Sequence, residues 1–299
     1  MLRVLVTHRT HGITHDEHQH QDHQGDQGTA NAGHAPNPMV PRARSSFGQM
    51  SDMSAKTLTI TGAGGDEIPA YVAQPAGDSS RGGVVVIHHM PGWDRATKEI
   101  VRRFAELGYD AISPNLHHRE APGAAPDDAA AANRAAGGVP DDRLVGDVGG
   151  AAAWLRALPT SNGKVASIGY CSGGRQSVLA ACNLDLDAAV DCYGAFVTEP
   201  PPENFPIPIT NLIDQVPNLR CPLLGLFGNE DQHPSPDAVN ELERLLTDNG
   251  KSFEFHRYDD AGHAFFSVDR PSYRVAAAND GWERVQAFFA TNLATGSGA

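Results

Sequence analysis

Between Lys56 and Gly62, apolar Leu58 and Ile60 alternate with Thr57, Thr59 and Thr61, which predicts a half-buried strand. Ile68 to Gln74 has the same character and reads as its antiparallel hairpin partner. The pattern then changes: Gly83 to His88 is a near-continuous apolar run, as expected of a strand covered on both faces in a parallel sheet. Ala96 to Leu107 places Ile100, Val101, Phe104 and Leu107 at helical spacing and stops at Gly108. Tyr109 to Ser113 follows as a short strand, and Asp141 to Ala157 as an amphipathic helix with Leu144, Val145, Val148 and Leu155 facing inward. Val165 to Ile168 predicts a buried strand leading directly into a helix. Further strands are expected at Ala188–Tyr193, Leu223–Phe227 and Ser252–Tyr258, with a helix at Asp237–Leu246 and a closing helix around Trp282, Val285, Phe288 and Phe289. Strands alternating with helices imply an α/β fold: a mostly parallel, doubly wound sheet with helices on both faces and an N-terminal antiparallel hairpin.

Composition narrows the partners. A formal net charge of −13 over 299 residues would repel nucleic-acid phosphates. No run approaches the roughly 18 consecutive apolar residues that span a bilayer, and the apolar start at Met1 is too short for a secretory signal, so a cytoplasmic location is expected. Cys171, Cys182, Cys192 and Cys221 form no CxxC pair and are expected to be reduced thiols. Half of the 14 histidines lie between His8 and His34 among Gln, Asp, Gly, Asn and Pro, where too little apolar surface exists to offset the entropy of ordering. Residues 1–54 are therefore expected to be a disordered His-rich tail, 55–293 a single α/β domain and 294–299 a flexible C-terminus. Such a tail either captures metal or is dispensable, with Met39, Met50 or Met53 as the natural start.

The most informative stretch runs Gly169-Tyr-Cys-Ser-Gly-Gly174 between the central strand and its helix. In a nucleophile elbow the apex residue occupies a strained turn, and the residues two before and two after must be very small. Gly169-x-Cys171-x-Gly173 meets that demand with Cys171 at the apex, whereas an apex at Ser172 would put Tyr170 where no bulk fits. The helix start favours a thiolate and a developing oxyanion. An ordinary tight connection around a buried cysteine, or a phosphate-binding loop, is the alternative reading of this stretch alone.

Ligands of such sheets sit beyond the carboxyl ends of the strands. Asp231 follows the strand Leu223–Phe227, and His263 lies on a Gly-preceded loop after the last strand. Nucleophile, acid, histidine is the order in which α/β-hydrolases supply a catalytic triad. In that arrangement His263 takes the thiol proton and Asp231 holds its tautomer, while the backbone N–H groups of Ser172 and Met90 receive the oxyanion. No cofactor is required. The pairs His88-His89 and His117-His118 raise a metal-dependent alternative, although neighbours on a strand end point in opposite directions, so that at most one of each pair faces a common point. Glu230, Asp259 and Asp260 are alternative acids.

The elbow, Phe227-Gly-Asn-Glu-Asp231 and Tyr258-Asp-Asp-Ala-Gly-His263-Ala-Phe, with the loop Leu116-His-His-Arg-Glu-Ala-Pro-Gly123, resemble the dienelactone hydrolase family (carboxymethylenebutenolidases). The resemblance implies a single-domain α/β-hydrolase fold and a carboxylic ester hydrolase with a Cys-Asp-His triad. It further implies a small-molecule ester or lactone substrate, an acyl-thioester intermediate, and a monomer or small homo-oligomer. Family members that open dienelactone carry a glutamate where His89 stands here, and grip the substrate carboxylate with two arginines, one at the position of Arg119 and one where this chain has Ser267. His89 and Arg119 are thus expected to bind substrate. A protein of the same fold that binds small molecules without turning them over is the remaining alternative.

Overall fold

The computed structural model describes residues 52–294, in which eight strands form one sheet flanked by helices. The hairpin is present as β1 (Met53–Thr61) and β2 (Glu67–Pro75). The parallel strands are β3 (Arg81–Ile87), β4 (Asp110–Pro114), β5 (Ser161–Tyr170), β6 (Ala188–Cys192), β7 (Leu223–Gly228) and β8 (Phe253–Tyr258). Their order is β1-β2-β4-β3-β5-β6-β7-β8, antiparallel where β2 meets β1 and β4 and parallel elsewhere. The predicted tail lies almost wholly outside the described residues, as do 295–299.

Because side chains alternate along a strand, the two faces of the sheet build two separate cores. Val85 and Ile87 face a cluster shared with α3 (Asp141–Arg156), α4 (Ser172–Asn183) and α5 (Pro236–Asp248). Val84 and Val86 face the other cluster, shared with α1 (Arg95–Glu106) and α6 (Val275–Asn292). Both faces of β3 are therefore dry, which is why its sequence reads as an unbroken apolar run rather than an alternation. Asp94 starts α1 by accepting a hydrogen bond from the Thr97 N–H at 2.8 Å, and the Ser235 hydroxyl does the same for α5 through the Ala238 N–H at 3.2 Å.

One expectation needs correction, and one helix has no counterpart among the expected elements. Leu107, assigned to the inner face of α1, is the residue that ends the helix and is 37 % exposed. The helix α2 (Pro126–Ala135) was not anticipated: its sequence, Pro-Asp-Asp followed by alanines, has no periodic large apolar residues. Its helicity rests instead on alanine propensity, a proline at the first turn and two aspartates against the positive end of the dipole. No helix among the described residues is long and apolar enough to cross a membrane.

Candidate active site

The chain leaves β5 at Tyr170, turns at Cys171 and enters α4 at Ser172. Cys171 has φ 56° and ψ −123°, a strained conformation for a residue with a side chain. Neighbouring contacts hold it there: the Cys171 N–H donates to Cys192 O at 3.0 Å on the adjacent strand, and Gly174 N–H donates to Cys171 O at 2.9 Å. The small-residue rule applies literally. A methyl group on Gly169 would overlap the carbonyl of Gly173, and one on Gly173 would overlap the carbonyl of Ile87. Cys171 is half-buried, whereas the other three thiols are buried. Burial pushes Cys182 up to about 11, Cys221 up to about 12 and Cys192 well above its ordinary value, so these three remain neutral packing groups.

Asp231 and His263 meet above the same sheet edge, with His263 Nδ1 2.8 Å from Asp231 Oδ2. The carboxylate accepts, so Nδ1 carries the proton and Nε2 is left for another partner. The second carboxylate oxygen accepts from the His233 N–H at 2.9 Å, which fixes the Asp231 side chain, itself only 2 % exposed. Burial pushes the His263 imidazole toward its neutral form, but hydrogen bonding to Asp231 and to the Cys171 side chain, with the charges of both, outweighs this and raises its pKa to about 10. The Tyr193 ring packs edge-on against His263 with centroids 5.2 Å apart. Tyr193 itself has φ 46°. It lies immediately after β6.

A cavity of about 500 Å³ opens over this group and is lined by Cys171, His263 and Asp231 together with Met90 and Ser172. Ser172 is the first residue of α4, so its N–H has no acceptor inside the helix. A second cleft of about 200 Å³ reaches Cys171 and His263 from the other side, past His89, Tyr193, Ser267, Arg134 and Arg270. His89 lines this cleft together with the thiol, with Nε2 2.7 Å from Asp94 Oδ2. Burial works against the Asp94 charge, yet hydrogen bonds from His89 and Thr97 hold that carboxyl down at about 2.

Arg119 stands apart from the thiol. Its guanidinium lines neither space beside Cys171. It forks onto Asp147 at 2.8 and 2.9 Å, and its Nε donates to Asp66 at 2.7 Å. Asp147 lies on α3 and is fully buried, so the nearest uncompensated negative charge captures the arginine and ties it to the sheet's flank. The histidine pairs resolve in a related way. His88 and His117 pack edge to face with centroids 4.6 Å apart. His88 donates from Nδ1 to His89 O at 2.9 Å and accepts the Leu116 N–H at Nε2, 3.2 Å away. Burial lowers the pKa of His88 to about 3 and that of His117 to about 4, so both are neutral. Among the described residues no three His, Cys, Asp or Glu side chains gather in a metal-binding group.

Two further features escaped the sequence reading. Asp191, on β6 beneath the elbow, is fully buried and accepts from the Gly194 N–H at 2.7 Å, while its Oδ2 has no partner among the described residues. Burial raises its pKa to about 7, against the opposing effects of the Gly194 N–H and His263. The wall of the larger cavity includes Phe205, Ile207 and Ile209. Their alternation with Pro206 and Pro208 was the available signal, and the prolines, which cannot join a sheet ladder, kept the segment from reading as a strand.

Strand order, elbow and the acid and histidine after β7 and β8 define an α/β-hydrolase, and solved structures agree. The crystal structure of a provisionally named dienelactone hydrolase from Klebsiella pneumoniae superposes with a TM-score of 0.71 at 29 % identity, covering 80 % of this chain and 99 % of that one. The model of the dienelactone hydrolase family matches residues 68–293, and the chain belongs to that family. A Salmonella typhimurium protein provisionally named a carboxymethylenebutenolidase is 34 % identical over 232 residues, 76 % of this chain and 83 % of the relative. The Pseudomonas putida carboxymethylenebutenolidase is 28 % identical over 235 residues, 76 % of this chain and 92 % of that one. The chain is therefore a carboxymethylenebutenolidase-like hydrolase.

Proposed function

We propose that the protein hydrolyses a small ester, thioester or lactone through a Cys171–His263–Asp231 triad and an acyl-thioester on Cys171. The observation that carries this reading is the position of His263, hydrogen-bonded at Nδ1 to Asp231 and adjoining the Cys171 side chain. The imidazole, whose raised pKa favours the protonated form, holds the proton given up by the thiol while the sulfur attacks the carbonyl carbon. Charge gathers on the carbonyl oxygen, where the N–H groups of Ser172 and Met90 receive it. The tetrahedral adduct then collapses: the bond to the leaving group breaks and His263 returns the proton to that group. Water, deprotonated by His263, attacks the thioester. The carboxylic acid departs and the thiol is restored. His89, held by Asp94, lines the smaller cleft at Cys171 and shapes the substrate's approach.

The test is turnover of an activated aryl ester. Cys171→Ala is expected to lower kcat by about 10⁴-fold or more, and Cys171→Ser to leave a small residue of activity. Wild-type rates in the alanine variant would end this reading.

A further inference from the structure

The segment after β6 borders the larger cavity as an irregular strap, bent at Pro206 and Ile207, with the Ile209 N–H donating to Ile207 O at 2.9 Å. Phe205, Ile207 and Ile209 are half-buried, whereas Pro206, Pro208 and Thr210 between and after them are exposed. The three half-buried side chains thus form the inward, apolar side of the strap. That inward face belongs to neither core: none of the three joins the clusters on the two sides of the sheet. What these side chains line instead is the space above Cys171.

The strap is held rather than loosely draped. Arg175, on α4 beside the elbow, donates to Thr210 O at 2.8 Å. Its other contacts form a fork of two 3.0 Å bonds to Asp141, which leaves its charge neutralised. On the opposite side Gly138 lies so close that any side chain there would collide with Ile207. Phe196 completes the wall. It has φ 63°, strained for an aromatic residue, and presents its ring at 4.9 Å, edge to face, to Phe205. Strain of this kind persists where surrounding contacts impose it and tends to mark functional positions. An apolar lining that faces an open cavity is stabilised by covering it with an apolar ligand.

We infer that the substrate carries a bulky apolar group, aliphatic or aromatic and larger than a methyl, that seats under the strap against Phe196, Phe205, Ile207 and Ile209. The inference rests on the proposed ester hydrolysis at Cys171 and adds the class of ester. Either the acyl or the alcohol half can supply the group, and the two arms of the test separate them.

In one arm kcat/KM is measured for p-nitrophenyl acetate, butyrate and hexanoate. In the other it is measured, by acid release, for the ethyl, butyl and hexyl esters of acetic acid. A fully buried methylene contributes up to about fourfold. One series should therefore rise by about tenfold or more from its shortest to its longest member, and that series identifies the half under the strap. Phe205→Ala should flatten the rise to about threefold or less, chiefly through KM. Ile209→Ala provides the same comparison should the first variant not fold. Two flat or falling series from the wild type, with Cys171→Ala inactive, would overturn the apolar seat while leaving the triad standing. Undiminished hydrolysis of both series by Cys171→Ala would overturn the triad reading, and this inference with it.

Discussion

At Asp231 a single carboxylate divides its oxygens between two jobs, one holding the His263 Nδ1–H and one anchored by the His233 N–H. Asp231→Asn keeps the size of the side chain but can no longer offset charge on the imidazole. We expect kcat to fall by about 10³- to 10⁴-fold. The direction of the accompanying pH change follows from the His263 pKa of about 10. Its proton affinity is higher in the fold than in the unfolded chain. The stability it adds is thus complete below the ordinary histidine value of 6.5 and lost as pH rises through about 10. The alkaline limb of kcat/KM should lie near pH 10 in the wild type and move to lower pH in Asp231→Asn, as a pH–rate profile would record. The positions of Asp231 and His263 were legible in the sequence because each follows a strand end. Tyr193 and Asp191 were not, because nothing in a single chain marks a tyrosine as the packing partner of an imidazole, or a strand aspartate as a buried acid.

Elements explain why the elbow tolerates so little change. Gly173 is the point at which α4 passes the end of β3, and its missing side chain is filled by the Ile87 carbonyl. Gly173→Ala should cost about 3 kcal/mol or more, seen as a lower midpoint in urea, because backbone on both sides must move. The loop carrying Arg119 is the contrasting case. A motif can place an arginine in a loop, but not decide which of several carboxylates it will meet. Here the buried Asp147 on α3 binds it by a fork. Arg119→Ala strands that charge and should destabilise the fold by about 3 to 5 kcal/mol, while KM for a neutral ester stays near the wild-type value. A rise in KM for carboxylate-bearing esters, without loss of stability, would return Arg119 to the substrate. Amphipathic helices and buried strands were legible from periodicity. The alanine-rich α2 and the proline-interrupted strap were not, since each lacks the repeating large side chains on which periodicity depends.

In the whole molecule, a dry sheet brings the loops after β5, β7 and β8 to one edge and also encloses the Asp191 carboxyl. Burial raises that pKa from 3.8 to about 7, so the folded state retains a proton that the unfolded chain releases. Stability should therefore decline as pH rises through this window, and Asp191→Asn should remove that part of the decline; melting temperatures between pH 4 and 8 would record it. The central claim is that a thioester forms at the one accessible thiol among four. Its most direct test is to quench the enzyme with acid within the first turnover of an activated ester, digest it and map the added mass. The acyl group should be found on Cys171 and be released by hydroxylamine. An acyl group on Ser172 instead, or none anywhere while turnover proceeds, would contradict the account.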